Sequence, residues 1–125
     1  MQVLFKEALR IQELRLGRDS VHVAGILSDL ASLHEEQGRL QECEDLLCRA
    51  LRTRVQVLGQ DTLEVAATLQ NLGGFYERLG RVNEAEAHFT EALRIQELRL
   101  GAANSIAAST RSKLSELDPP PLSSI

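Results

Sequence analysis

Apolar side chains recur at helical spacing along most of the chain. In the segment 62–79 they are four, three, four and three residues apart, which is the spacing of one face of an α-helix. These apolar positions are Val65, Leu69, Leu72, Tyr76 and Leu79. Gly80 follows, and glycine is favoured just past a helix end. The same pattern along the whole chain predicts six helices, at 2–16, 21–37, 40–57, 62–79, 82–99 and 104–117.

One stretch of sequence occurs twice. The residues EALRIQELRLG run from Glu7 to Gly17 and again, letter for letter, from Glu91 to Gly101, and Gly59 lies midway between the two glycines. The period is therefore 42 residues. When residues 24–59 are aligned on residues 66–101, 13 of 36 positions are identical. Most of these positions are apolar, small or glycine, which packing and turns constrain, so the pattern indicates a copied structural unit.

Each period predicts two antiparallel helices joined by a short turn. Such a pair cannot bury its apolar stripe alone, so successive pairs are expected to stack as an all-α solenoid. The expected divisions are the second helix of a partial repeat at 1–17, repeats at 18–59 and 60–101, a capping helix at 102–117, and a disordered Pro-rich tail at 118–125. Asp61 and Asn104 are expected to cap the helices that follow them.

Composition excludes several classes of protein. The 125 residues carry a formal charge of -4, and only 3% of them are aromatic. This mild acidity disfavours nucleic-acid binding. No apolar run approaches the length of a membrane span, and the N-terminus lacks the features of a secretory signal. Two cysteines fit a reducing compartment. We therefore expect a cytoplasmic protein that binds neither nucleic acid nor membranes.

No residue pattern indicates catalysis, a metal site or a cofactor. Cys43 and Cys48 are five residues apart, which places them about 140° apart around one helix. They cannot both face one metal, and Cys43 is expected to be a small buried residue. His34 is expected in or near the core. Acidic pairs such as Glu35 and Glu36 are expected on solvated helix faces, and no phosphate-loop, nucleophile-elbow or zinc motif occurs.

Six residues of the second period carry a resemblance to a known family. They are Gly73, Tyr76, Gly80, Ala85, Phe89 and Ala92. Their order resembles the tetratricopeptide repeat (TPR). In that family the first helix has a small residue with an aromatic residue three positions later, glycine lies at the turn, and the second helix has a small residue, a bulky residue and alanine in series. The 42-residue period is similar to the repeats of kinesin light chains, whereas the usual TPR period is about 34. The resemblance implies a right-handed superhelical solenoid of antiparallel hairpins.

The same resemblance implies a peptide-binding concave surface lined by first helices. Such arrays are non-enzymatic scaffolds that bind a protein or peptide. The residues expected to line the surface are Ser28, Asp29, Ser32, Glu35, Gln70, Asn71, Gly74, Arg78 and Lys113. Asn71 matches an asparagine that often holds a peptide backbone in this family, because an amide both donates and accepts hydrogen bonds.

The sequence leaves two hypotheses for the function. One is a cargo or adaptor module similar to kinesin light chain. The other is a structural or regulatory TPR segment of a larger signalling protein whose activity lies elsewhere. Met1 falls within the second helix of a repeat, so the chain is expected to be a piece of a longer array, and uncovered side chains such as Val3 and Leu4 are expected to promote self-association.

Overall fold

The structure, a computed structural model, describes residues 6, 7, 10, 11 and 21–117. In these residues all regular secondary structure is helical. The five helices are α1 (Val21–Glu36), α2 (Leu40–Leu58), α3 (Leu63–Arg78), α4 (Val82–Leu100) and α5 (Ser105–Leu117). Every bound lies within one residue of its expected position. The expected helix 2–16 falls mostly outside the described residues, although residues 6, 7, 10 and 11 are helical. The expected tail and the Val3 and Leu4 face lie wholly outside them.

Glycines in the left-handed region end the helices, as the sequence predicts. Gly38 follows α1 with a φ of 78°, and Gly80 follows α3 with a φ of 77°. Beyond each glycine the backbone N–H turns back to the helix: Arg39 N–H donates to the His34 carbonyl at 2.8 Å, and Arg81 N–H to the Tyr76 carbonyl at 2.9 Å. These turns satisfy end carbonyls and reverse the chain, so that consecutive helices run antiparallel.

The chain divides into two compact units within α3, one ending at Thr68 and the other starting at Leu69. In the first unit α1 packs against α2. Its core contains Val23, Ala24, Leu27 and Ala50, with Leu46 packed against them. All four core residues are aliphatic, as expected from the scarcity of aromatic residues.

In the second unit the contact between α3 and α4 is set by a glycine. A Cβ built on Gly73 would lie 2.9 Å from the ring of Phe89, so the ring occupies the space that a side chain would need. Phe89 is 1% exposed. Nearby, the rings of Tyr76 and His88 lie 5.2 Å apart, and the Arg81 guanidinium lies 4.7 Å from the Tyr76 ring centroid. α3 and α4 therefore approach each other closely at Gly73.

Side-chain caps begin two of the helices. The Asn104 side-chain oxygen accepts from the Ile106 N–H at 2.8 Å ahead of α5, which confirms the predicted cap. Ahead of α3 the hydroxyl of Thr62 accepts from the Val65 N–H at 3.2 Å. The cap hydroxyl therefore comes from the residue after Asp61, because α3 starts at Leu63, one residue later than expected.

Replacing Gly73 with alanine tests the close contact. Because the new methyl group would overlap the Phe89 ring, Gly73→Ala is expected to destabilise the chain by about 1–3 kcal/mol, as overpacking does. Thermal unfolding followed by circular dichroism measures the effect.

Gly25→Ala is the matched control. Gly25 also lies inside a helix, and nothing lies within 4 Å of a Cβ built on it. Alanine is the better helix former, so this change is expected to stabilise by about 0.5–1 kcal/mol. Equal shifts in the two variants would contradict the proposed role of Gly73.

Candidate functional site

The part of the expected binding surface on α1 consists of short polar and acidic side chains. Ser28, Asp29, Ser32 and Glu35 follow one another at helical spacing, and Asp29 and Ser32 are exposed. The Ser28 hydroxyl donates to the Ala24 carbonyl at 3.2 Å, and the Ser32 hydroxyl donates to the Ser28 carbonyl at 3.3 Å. Since each hydroxyl already donates to its own helix, these serines offer mainly acceptor oxygens to a ligand.

On α3 the expected residues share one face but differ in their contacts. Asn71 and Arg78 are exposed, and Gln70 and Gly74 are half-buried. A Cβ on Gly74 would lie 3.2 Å from Nη1 of Arg78, so the glycine gives the guanidinium room to lie back along the helix. The Asn71 side chain makes no hydrogen bond to any described residue, which leaves both its donor and its acceptor available.

Gln70 takes part in a hydrogen-bond chain across three helices. Its Nε2 donates to the Thr110 hydroxyl at 2.7 Å, and that hydroxyl donates to Oε1 of Gln96 at 2.6 Å. Thr110 and Gln96 are both buried, at 0% and 2% exposure. These hydrogen bonds link α3, α5 and α4. Gln70 therefore has a structural role that its place on the expected surface did not reveal.

A related bond occurs one period earlier. Nη1 of Arg54, in α2, donates to the Thr68 hydroxyl in α3 at 2.5 Å. Arg54 and Thr68 precede Gln96 and Thr110 by 42 residues each. The sequence carries one signal for this link, because threonine recurs at the two positions. The signal is weak, because the residue that bonds to the threonine is Arg54 in one period and Gln96 in the next. An alignment of the two periods therefore shows no identity at that position.

Lys113 and Arg111 on α5 have different surroundings. Lys113 is exposed, and its Nζ lies 5.9 Å from the Phe89 ring centroid, within reach of a weak cation–π interaction. Arg111 donates to a Glu97 carboxylate oxygen at 2.8 Å and to the Ala102 carbonyl at 3.1 Å. The Arg111 charge is thus held by the protein, and Lys113 is the cation of α5 with more freedom to meet a ligand.

The charged residues on the expected surface differ between the helices. On α1 they are acidic, Asp29 and Glu35, and Glu36 adjoins them. On α3 and α5 they are basic, Arg78 and Lys113. The α1 residues belong to the first compact unit, and Gln70, Asn71, Gly74, Arg78 and Lys113 belong to the second.

His34 and Cys43 are buried, as the sequence predicts. His34 is 2% exposed, and its Nε2 lies 3.6 Å from a Glu42 carboxylate oxygen. Cys43 is buried and Cys48 exposed, and both are free thiols. Within the described ranges, no group of three or more His, Cys, Asp or Glu side chains is arranged to hold a metal ion.

Among the residues that the structure describes, no helix has both the length and the apolar character needed to cross a bilayer. The longest helices, α2 and α4, have 19 residues each, and both carry several charged side chains.

Comparison with known proteins agrees with this architecture. The family model described as Tetratricopeptide repeat matches residues 22–98. A search of curated proteins finds no match.

Solved structures share this fold. The crystal structure of BtubC (BKLC) from P. vanneervenii superposes with a TM-score of 0.83 at 26% identity, over 93% of this chain and 46% of that one. A kinesin light chain candidate from Podosopora anserina, with nearly identical TPR-like repeats, gives 0.80 at 20% identity, over 93% of this chain and 55% of that one. This chain therefore spans about half the length of each.

Removing the Thr110 hydroxyl tests the hydrogen-bond chain. Thr110→Val keeps the shape of the side chain but leaves the buried Gln96 carbonyl and the Gln70 amide without their partner. The expected loss of stability is about 1–3 kcal/mol, the usual cost of a buried polar group left unsatisfied. Denaturant unfolding measures it.

Thr90→Val is the control for Thr110→Val. Thr90 is exposed on α4, so the same substitution there is expected to change stability by less than about 0.5 kcal/mol. If the two valine variants unfold at the same denaturant concentration, the Thr110 hydroxyl has no structural role.

Proposed function

Because the chain belongs to the tetratricopeptide repeat family, whose members generally bind other proteins and are generally non-catalytic, we propose that it is a non-enzymatic scaffold for a peptide or protein. The proposed ligand lies along the first helices. It contacts Ser28, Asp29, Ser32 and Glu35 of α1, Gln70, Asn71, Gly74 and Arg78 of α3, and Lys113 of α5.

The exposed side-chain amide of Asn71 is the main support for this proposal. Its amide is exposed and makes no hydrogen bond to any described residue, so it can donate to a ligand carbonyl and accept from a ligand N–H. Backbone groups are common to every peptide, and contacts of this kind tolerate many sequences. Gln70, held through Thr110, supports the rigidity of the helix face beside Asn71. A rigid face loses little conformational entropy when a ligand binds.

The charges of the expected surface favour a ligand of mixed charge. Arg78 and Lys113 attract an acidic ligand segment, whereas Asp29, Glu35 and Glu36 on α1 repel one and attract a basic segment. We therefore propose a peptide that places its acidic side chains near α3 and α5. Exposed charges contribute modestly to affinity and more to the choice and orientation of the partner.

More specifically, we propose a cargo-binding or adaptor role similar to that of kinesin light chain. It is supported by the 42-residue period and by the Podosopora anserina structure. We propose a cytoplasmic location, since two free thiols suit a reducing compartment.

A second candidate function is a structural or regulatory segment of a larger signalling protein. The observation that favours it is the coverage of the solved relatives, of which this chain spans 46% and 55%. In that case the binding surface extends over further repeats, and a ligand of the 125-residue chain alone binds more weakly.

The Asn71→Ala variant tests the proposed surface. Peptides are first selected on the wild-type chain from a random display library, and the affinity of the selected peptides is then measured by fluorescence polarisation. Loss of the amide removes up to two hydrogen bonds, so the affinity is expected to fall about tenfold.

Asn83→Ala provides the matched control. Asn83 is exposed on the second helix α4, outside the proposed surface. Its replacement is expected to leave the affinity unchanged. Equal affinities of the two variants would place binding elsewhere on the chain.

A further inference from the structure

The outward face of α2 carries an exposed polar stripe, called the outer stripe below. Five exposed residues follow one another four, three, four and four positions apart, so they lie within about 80° of one another around the helix. They are Gln41, Asp45, Cys48, Arg52 and Gln56. The buried residues of α2 are centred on the opposite side of the helix, and they are Cys43, Leu47, Ala50 and Thr53.

The charges of α2 are separated along the helix. All its acidic residues precede Cys48, and all its basic residues follow it. The acidic ones are Glu42, Glu44 and Asp45, and the basic ones are Arg49, Arg52 and Arg54. The helix dipole favours acidic residues in the first turn and basic residues in the last turn. Only Glu42 lies in such a turn, so the dipole does not account for the separation.

The equivalent positions of α4, 42 residues later, carry mixed charges. Arg94 corresponds to Arg52, and its Nη2 lies 2.6 Å from a carboxylate oxygen of Glu91, three residues earlier. In α2 the residue three before Arg52 is Arg49, and neighbouring like charges repel. The Arg52 side chain makes no hydrogen bond or ion pair to any described residue. A carboxylate of another molecule would supply the partner that Arg94 has within its own helix.

We infer that a second copy of this chain docks on the outer stripe, with the two α2 helices antiparallel about a twofold axis. The charges are complementary in that orientation, because a midpoint between residues 48 and 49 relates Asp45 to Arg52 and Gln41 to Gln56. Each Asp45 then meets the partner's Arg52. Each Gln41 amide meets the partner's Gln56 amide, and both amides can donate and accept. An interface in which one surface meets itself stops at two copies.

Cys48 lies beside the proposed axis. Its side chain is short and exposed, so the two helices can approach closely enough for the longer Asp45 and Arg52 side chains to meet. These two residues are seven positions apart, about 10 Å along the helix, so the two ion pairs lie on either side of the axis. The Gln41 amide donates to an Asp45 carboxylate oxygen at 3.1 Å, which positions the carboxylate on the outer stripe.

The proposed interface is small and polar, so the dimer is expected to be weak and sensitive to salt. Exposed ion pairs each contribute little, and ions in solution screen them. Their main effect is on the choice and orientation of the partner. None of the residues proposed to contact the peptide ligand lies on α2, so this inference does not depend on the proposed function.

Charge reversal tests the pairing of Asp45 with Arg52. In sedimentation equilibrium at low ionic strength, the weight-average mass of the wild type is expected to rise with concentration from 13.8 kDa toward twice that value. Asp45→Arg and Arg52→Asp each bring like charges together, so both variants are expected to keep the mass of one chain. Both residues are exposed, and circular dichroism is expected to show an unchanged fold.

Two combinations of these variants restore opposite charges at both contacts and serve as matched controls. An equimolar mixture of the two single variants is expected to contain a species of two chains. The double variant, Asp45→Arg with Arg52→Asp, is expected to associate as the wild type does. A wild type that stays monomeric, or single variants that associate equally well, overturns the inference. The same holds if either combination stays monomeric while the wild type dimerises.

A cross-link through Cys48 tests the antiparallel orientation. A short bismaleimide is expected to join two wild-type chains through their exposed Cys48 thiols, seen as a doubled mass on a denaturing gel, whereas Cys43 is buried. Cys48→Ser is expected to abolish the product. Adding Gln41→Cys to Cys48→Ser moves the thiol to the end of the outer stripe, about 20 Å from its copy in an antiparallel pair. No cross-link is expected there, and a cross-link at that position would show parallel helices and overturn the inference.

Discussion

The approach of a bulky ring to a residue without a side chain sets the geometry of the second hairpin. Phe89 lies so close to Gly73 that a Cβ there would lie 2.9 Å from the ring. Glycine costs about 0.5–1 kcal/mol within a helix compared with alanine, and the burial of a phenylalanine side chain offsets this cost. In the first hairpin Ala31 and Leu47 stand in place of Gly73 and Phe89, and both are buried. A larger residue on one helix is matched by a smaller one on the other, so the hairpin keeps its packed volume.

The hydrophobic effect by itself has no direction. Hydrogen bonds add directional contacts between helices at two equivalent places. Thr68 accepts from Arg54 and donates to the Glu64 carbonyl, whereas Thr110 accepts from Gln70 and donates to Gln96. A hydroxyl can do both, so threonine recurs while its partner changes. Gln96 makes the more complete set of hydrogen bonds of the two partners, since the buried Nε of Arg54 makes no hydrogen bond to any described residue.

The helices and their ends follow from the sequence because periodicity and glycine position depend on local physics. Every described helix lies within one residue of its expected bounds at each end, and Gly38 and Gly80 end theirs with positive φ. The buried polar residues could not be predicted in this way. Thr110 and Gln96 look like interruptions of an apolar stripe, and only the position of the neighbouring helix shows that they bond to each other. The same reason applies to Gln70: its place on the expected surface is predictable, but its hydrogen bond to Thr110 is known only once α5 is placed.

The longer period has a physical consequence that the hydrogen bonds reveal. Tetratricopeptide repeats usually have a period of about 34 residues, and here the second helices α2 and α4 extend to Leu58 and Leu100. Arg54 and Gln96 lie in the last turns of these helices. Second helices shortened by the difference of about eight residues would end near Ala50 and Ala92 and would carry neither polar partner. The added turns therefore do more than bury further apolar surface, because they bring a polar side chain to the threonine of the following first helix. In this chain the 42-residue period and the bonded threonine belong together.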